Sequence, residues 1–310
     1  MAIFFGLSIK KLQQNWLIEK VKMFVFPAIL ESTEKRWLQI LYNACYEQFL
    51  NSHIPSHDHL HHFRVWQNAK RLLYLLYSIG QEFSPAEVEQ LMIAVFFHDT
   101  GLSVTFDEKH GKASSDICKN FFANNTSIKL PSLSKIIRMI ENHENKHYAY
   151  SQVPPYSCES ILAAGDDIDA FGAIGVYRYA EIYSLRNIGI ENLSEKVIQN
   201  LDSRFQHLQK LYGNFEEYFN EVRLKYWITK EFYLHLKQQS KKDGSMFTEA
   251  AKVIQIFLSD IIQNRIGLKE TAINSALNNT DIYVSEYFTL LATEIDKYET
   301  MLINVCPQTT

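Results

Sequence analysis

Apolar residues recur along the chain at intervals of three and four, and no segment alternates strictly, so the pattern predicts an all-α protein. Trp37, Ile40, Leu41, Ala44 and Phe49 fall on one face of a helix over residues 33–51, which Ser52-His53-Ile54-Pro55-Ser56 breaks. The next helix opens in His57-Asp58-His59-Leu60-His61-His62-Phe63-Arg64-Val65 and carries the stripe Val65, Ala69, Leu72, Leu73 and Leu76. A third has an explicit start, with Ser84 as cap, Pro85 in the first turn and Glu87 closing a capping box. It runs through Val88, Leu91, Met92 and Val95 into His98-Asp99, and Gly101 breaks it. Further helices open at His110-Gly111, burying Ile117, Phe121 and Phe122, and at Pro131-Ser132, leading through Ile136, Ile137, Met139 and Ile140 to His143. Another, from Glu159 to Asp169, delivers Asp166, Asp167 and Asp169.

Gly172 and Gly175 permit close packing into a helix over 176–186. From about residue 194 the chain stays helical but is chemically plainer. The aromatic residues of 205–238, Tyr226 and Tyr233 among them, sit at helical spacing and read as core rather than as a base-stacking surface. Ser240–Gly244 reads as a turn, and the last helix spans roughly 281–305. The chain thus divides into an N-terminal helical extension over 1–32, a core over 33–190, and C-terminal helices over 191–310 packed on that core. The apolar run Met23–Leu30 is too short to span a bilayer. Lysines follow Ile3–Leu7 rather than precede it, which argues against a signal peptide. Residues 1–32 therefore read as an amphipathic lead-in packed on the main body, with peripheral membrane attachment as the alternative and no transmembrane segment.

A net charge of −4 offers no basic footprint for nucleic acid, though it leaves room for an anionic substrate if a metal supplies local positive charge. Cys45, Cys118, Cys158 and Cys306 are scattered with no Cys-x-x-Cys spacing, as expected of reduced residues in a cytoplasmic protein. A homo-oligomer is compatible with all of this.

The chemistry concentrates at Ile93–Phe97, five apolar residues that carry the adjacent pair His98-Asp99. A carboxylate is buried at great cost unless it is paired or coordinates a metal. His61, His98-Asp99 and Asp166 are three separate offerings of nitrogen and carboxylate ligands beside apolar stripes. Such a mixture suits a divalent ion (Mn, Fe, Mg, Co or Zn) better than an all-oxygen calcium site. His110 and His143 could hold a second ion, with Asp99 and its two oxygens as the bridge. Two ions about 3.5–4 Å apart can clamp a phosphoryl oxygen.

In this respect the chain resembles the HD-domain metal-dependent phosphohydrolases. The matching residues are His57-Asp58-x-x-His61-x-x-Arg64-Val65, Phe97-His98-Asp99-Thr100-Gly101, His110-x-x-x-Ser114, the isoleucine-rich helix ending at His143, and Ala164-Gly165-Asp166-Asp167-Ile168-Asp169-Ala170-Phe171-Gly172. The resemblance covers about residues 35–190. It implies an all-helical HD-type core, metal ligands at His61, His98, Asp99 and Asp166, and a second site completed by His110 and His143 in the two-metal branches. Two positions depart from the pattern: Gly111 stands where many relatives carry Glu, and Ala164 where they often carry Asp.

The implied activity is hydrolysis of a phosphomonoester or phosphodiester of a nucleotide-like small molecule, with one or two ions per chain. Asp99 or Asp169 would accept the proton of water. Arg64, Lys112, Lys146 and His147 would hold phosphate oxygens, Arg64 having Asp58 as an alternative partner. His53, His57, His59 and His62 read as supporting or exposed groups. The second reading is a catalytically weak HD-fold protein serving as a nucleotide sensor or interaction scaffold, motivated by Gly111, Ala164 and the amount of helix outside the core.

Overall fold

The computed structural model describes residues 2–107, 110–130, 132–144, 153–239 and 249–305, with side chains from Val25 onward. The expectations at Pro131, Lys146, His147, Ser240–Gly244 and Cys306 lie outside these residues. Among the described residues there are twelve α-helices and no strand.

The first helix, α1 (Ala2–Phe49), passes through residue 32 without a break, so the boundary expected there falls inside one element. Phe26, Leu30, Thr33, Trp37, Leu41, Cys45 and Phe49 are all buried, a single stripe at spacings of three and four that ties both halves of this span to one face. Asp58 caps α2 (His59–Ser78), its Oδ1 accepting from the amides of Leu60 at 2.9 Å and His61 at 3.3 Å. The capping box of α3 (Pro85–Phe97) forms as expected: the Glu87 amide donates to Ser84 Oγ, and the Ser84 amide to Glu87 Oε2. A 3-10 turn over Thr100–Ser103 leads to α4 (Gly111–Asn124), α5 (Leu133–Asn142) and α6 (Cys158–Asp169).

Then come α7 (Gly172–Leu185), α8 (Ile190–Tyr212) and α9 (Glu216–Gln239). The chain continues with α10 (Glu249–Ile256), which runs into a π-helical stretch over Phe257–Gln263. It closes with α11 (Leu268–Asn278) and α12 (Ile282–Val305).

Helix α2 packs lengthwise on α6, and α3 lies against α1, α2, α5 and α6. Gly165 makes the α2–α6 approach possible, since a Cβ there would stand 3.1 Å from the Val65 carbonyl. Helix α7 joins this group to the C-terminal helices, packing on α9 and α12 as well as on α6. Its first turn is held from outside. Glu294 of α12 accepts from the Ala173 and Ile174 amides, where orphan N–H groups favour a carboxylate. Thr229 and Tyr233 of α9 and Tyr287 of α12 donate to the carbonyls of Gly172, Val176 and Ala173. Tyr212, Tyr218, Phe219, Tyr226, Phe232 and Tyr233 are buried, as core aromatics should be, whereas Trp227 of the same stretch is exposed. No helix among the described residues is long and apolar enough to cross a membrane.

Candidate metal centre

The ends of α3, α5 and α6 and the first turns of α2 and α4 converge on one buried cluster. His61, His98, Asp99 and Asp166 bring four ligand atoms within 4.8 Å of one another, and Asp99, His110 and His143 bring three. All six side chains expected to meet do so.

The histidines are aimed by their Nδ1 atoms. His98 Nδ1 lies 2.7 Å from the Val95 carbonyl and His143 Nδ1 2.5 Å from the Ile140 carbonyl. A carbonyl only accepts, so each Nδ1 donates, and in the neutral ring each Nε2 presents a lone pair. His61 Nδ1 likewise donates to Asp169 Oδ2 at 2.8 Å. Imidazoles held this way through the nitrogen remote from the ligand are the usual form of metal-binding histidine.

Two such Nε2 atoms, of His61 and His98, stand 3.3 Å apart. Asp99 Oδ2 lies 3.3 Å from His61 Nε2 and 3.4 Å from His98 Nε2, and Asp166 Oδ1 lies 3.8 Å from His61 Nε2. Acceptor atoms this close repel unless a cation lies among them. Edges near 3.4 Å describe a tetrahedron whose centre is about 2.1 Å from each corner, the length of a metal bond to nitrogen or oxygen. The donor set therefore fits a divalent ion.

The other oxygen of Asp99, Oδ1, faces His110 Nε2 at 2.7 Å and His143 Nε2 at 2.9 Å. Asp99 thus divides its two oxygens between the groups. Burial opposes its ionisation, yet the surrounding imidazoles hold its pKa well below the usual carboxylate range. His110 is buried too, but Asp99 and Glu144 outweigh that and raise it to about 10. Glu144 Oε1 is 2.5 Å from His110 Nδ1, and its Oε2 would be 3.2 Å from a Cβ on Gly111. A carboxylate from just beyond α5 thus stands beside Gly111. Ala164, on the opposite side of α6, is wholly buried in the apolar core.

Gly101 sets the approach of the His98-Asp99 segment to α4. Its amide donates to Ser114 Oγ at 2.8 Å, and an added Cβ would meet the His110 carbonyl at 2.4 Å and the Ser114 amide nitrogen at 2.7 Å. Gly101→Ala is expected to destabilise the protein by about 2 kcal/mol and to lower metal affinity, measured by denaturant unfolding and by metal titration. An unchanged midpoint and affinity would show that the backbone yields there.

Three expectations for the site meet a different arrangement. Arg64 is buried and forks onto Asp169, Nε to Oδ1 at 2.8 Å and Nη2 to Oδ2 at 3.0 Å, rather than onto Asp58 or a ligand. Asp169, expected as a proton acceptor, is taken up by Arg64, Arg178 and His61. Despite its burial, Arg64, His61 and Arg178 hold its pKa far below the carboxylate range, and it serves to orient His61. Lys112 is exposed and pairs with Asp116 and Glu141. His62, open to solvent in one reading of the sequence, is fully buried, its Nδ1 donating to the Phe96 carbonyl.

The cavity beside the cluster has a volume of about 320 Å³ and is lined by His57, Asp99, His110, His143, Glu144 and Asp166. Arg178, Arg186, Asn200 and Arg204 line it too, with Leu102, Ile182 and Tyr183. The family model described as HD-CE matches residues 41–209, more than half of the 310-residue chain. The chain belongs to the HD-CE family. No curated protein and no solved structure matches it.

The arginines of this HD-CE protein escaped the sequence reading because no motif marks them: Arg178, Arg186 and Arg204 sit on ordinary helices and are selected only by packing. Arg178 bonds Asp166 Oδ1 at 3.0 Å and Asp169 Oδ2 at 3.2 Å, and Arg204 bonds Asp167 Oδ1 at 2.8 Å.

A further buried acid, Glu181, lies outside both donor groups. Glu181 accepts from Ser56 Oγ, from the Ser56 amide and from Tyr177, and Ser56 Oγ is 2.5 Å from His57 Nδ1. Burial raises Glu181 to about 7, against the pull of those donors. In the unfolded chain it ionises near 4.5, so the folded state holds its proton more tightly. The stabilisation this group gives is complete below pH 4.5 and is lost as pH rises through about 7, a change of about 3 kcal/mol. Glu181→Gln should remove that slope, so that relative to the parent it gains stability from pH 5 to pH 8 in urea titrations. Parallel curves would show that Glu181 titrates normally.

Proposed function

We propose that the protein is a divalent-metal-dependent phosphohydrolase that cleaves a phosphomonoester or phosphodiester of a nucleotide-like small molecule. The observation that carries this reading is the facing pair of His61 and His98 Nε2 atoms, closed by Asp99 and Asp166 and opening on a cavity walled by guanidiniums. His61, His98, Asp99 and Asp166 would hold one ion, and His110 and His143, sharing Asp99, a second. A bound divalent ion supplies Lewis acidity, acidifying water and neutralising phosphoryl charge.

The chain's own residues supply the rest. Asp169 and the carbonyls of Val95 and Ile140 keep the imidazoles in the ligating tautomer. Arg178, Arg186 and Arg204 orient an anion against the donors, and guanidiniums suit phosphate because of their planar fork. His57 is the cavity imidazole outside both donor groups, held by Ser56, and would be the neutral imidazole available to accept a proton there. Leu102, Ile182 and Tyr183 give the apolar surface on which a base or sugar can rest.

The test is hydrolysis of p-nitrophenyl phosphate, bis(p-nitrophenyl) phosphate and a panel of nucleotides by metal-stripped protein, with and without Mn²⁺. Turnover that appears with Mn²⁺ and disappears on chelation supports the reading. A nucleotide retained intact under both conditions would identify a sensor instead.

A further inference from the structure

Glu181 and Ser56 are wholly buried, and neither belongs to the donor groups or to the cavity lining. A hydrogen-bonded chain nevertheless joins them to the cavity. Glu181 Oε2 meets Ser56 Oγ and accepts from the Ser56 amide at 3.1 Å, and Ser56 Oγ lies 2.5 Å from His57 Nδ1. His57 lines the cavity, and no hydrogen bond among the described residues engages its Nε2. One edge of the ring is thus bonded through Ser56 to a buried acid, and the other is left to the site.

Two arrangements of hydrogen satisfy this chain. With Glu181 ionised, Ser56 Oγ donates to Oε2, His57 Nδ1 donates to Ser56 Oγ, and Nε2 offers a lone pair to the cavity. With Glu181 neutral, its O–H donates to Ser56 Oγ, Ser56 donates to Nδ1, and the ring carries its hydrogen on Nε2. The imidazole is uncharged in both, which matters for a ring only 6% exposed, because an unpaired buried charge is costly. The two arrangements differ by one proton, gained at Nε2 and stored on Glu181.

The groups around Glu181 let it hold that proton. Tyr177 bonds its other oxygen, the charge of Asp58 opposes its ionisation, and Phe257 of the π-helical stretch packs edge-to-face on Tyr177. Burial, the largest influence, brings Glu181 to about 7, where an acid can both take and return a proton at neutral pH.

We propose that Glu181 is the terminus of a proton relay reached from the cavity through His57 and Ser56. The relay rests on the phosphohydrolase reading, which supplies its proton. As water adds to phosphorus, its O–H bond breaks and an Nε2–H bond forms. The Nδ1–H bond breaks as Ser56 takes that hydrogen, and Ser56 gives its own to Glu181. The leaving oxygen is protonated from solvent, and once product departs the chain runs backwards and releases the stored proton through Nε2. Ser56 and Glu181 act only through His57 and are therefore positioning residues.

The experiment is long-range ¹H–¹⁵N correlation spectroscopy of the full chain labelled in histidine, from pH 5 to pH 9, with His57 assigned by the loss of its signals in His57→Gln. The expected result is a ring that stays neutral and changes from the Nε2–H to the Nδ1–H tautomer as Glu181 ionises near pH 7. In Glu181→Gln the change should disappear. A single tautomer throughout, or an imidazolium that forms in place of the change, would overturn the proposal. Turnover gives a second readout, with Mn²⁺ and whichever p-nitrophenyl ester is cleaved. Ser56→Ala and Glu181→Gln should lower kcat by about tenfold or more with KM and Mn²⁺ content unchanged, and Ser56→Thr should restore it. Unchanged kcat in a folded Ser56→Ala protein would also overturn the relay. The parent spectra decide the matter even if the variants fail to fold. A tautomer change in a chain that cleaves no ester would support the relay and overturn the phosphohydrolase reading, which distinguishes the two failures.

Discussion

Asp99→Asn is expected to abolish metal-dependent hydrolysis, lowering kcat/KM by about a thousandfold or more, while the protein stays folded. Asp99 is the residue whose loss should be felt most, because its two oxygens serve different partners: Oδ2 closes the group of His61 and His98, and Oδ1 faces His110 and His143. An amide keeps the shape and loses both the charge and one of the two acceptors. With the Nδ1 atoms of His98 and His143 committed to carbonyls, the imidazoles cannot turn to compensate. His98→Ala should have a similar effect on turnover. The checks are kcat/KM with Mn²⁺ on whichever ester is found to turn over, metal content by elemental analysis, and circular dichroism. Full turnover in a folded Asp99→Asn protein would place the chemistry elsewhere.

The legibility of the site follows from its chemistry. His61, His98, Asp99, His110, His143 and Asp166 were visible in the sequence because imidazole and carboxylate have no ordinary use at the ends of apolar stripes, and six of them in order are hard to reach by chance. The helices were visible for a related reason. The capping box at Ser84 and the stripe Val65–Leu76 are local signals, and local structure obeyed them. What was not visible depends on which helix packs against which. Arg178 lies nine residues beyond Asp169, Arg204 thirty-seven beyond Asp167, and only the packing of α7 and α8 on α6 makes them neighbours.

The same blindness assigned Lys112 and Arg64 to phosphate. A cation near a motif in sequence can face solvent, as Lys112 does, or be consumed by a buried acid, as Arg64 is. The continuity of α1 was missed because the sequence was divided at residue 32, although one buried face runs from Phe26 to Phe49. The C-terminal helices acquire a role that their composition did not suggest. Through Thr229, Tyr233, Tyr287 and Glu294 they hold the first turn of α7, and α7 carries Arg178 to the donors.

Asp169 separates a proton acceptor from a group that orients others. Its carboxylate receives Arg64 through two bonds, Arg178 at 3.2 Å and His61 Nδ1 at 2.8 Å. Asp169→Ala leaves the buried Arg64 guanidinium without its counter-charge, while Arg178 keeps Asp166, and should destabilise the fold by about 3–5 kcal/mol, read from urea unfolding at pH 7. The folded-state pKa is depressed, so the contribution is present above the unfolded value near 4 and fades only in stronger acid. It should therefore be constant across pH 6–8.

Asp169→Asn is milder, because the amide oxygen can still accept from Arg64 or from His61. It fails to fix the tautomer of His61 and should weaken metal binding by about 10–100-fold. Once the centre is saturated with Mn²⁺, kcat should recover to within a small factor of the parent. A proton acceptor would behave in the opposite way, since its Asn variant would bind metal normally and lose kcat at every metal concentration. Parallel metal titrations of binding and turnover in this one variant therefore read the role directly, and the grip of Arg64 and Arg178 on Asp169 predicts that the loss is in binding.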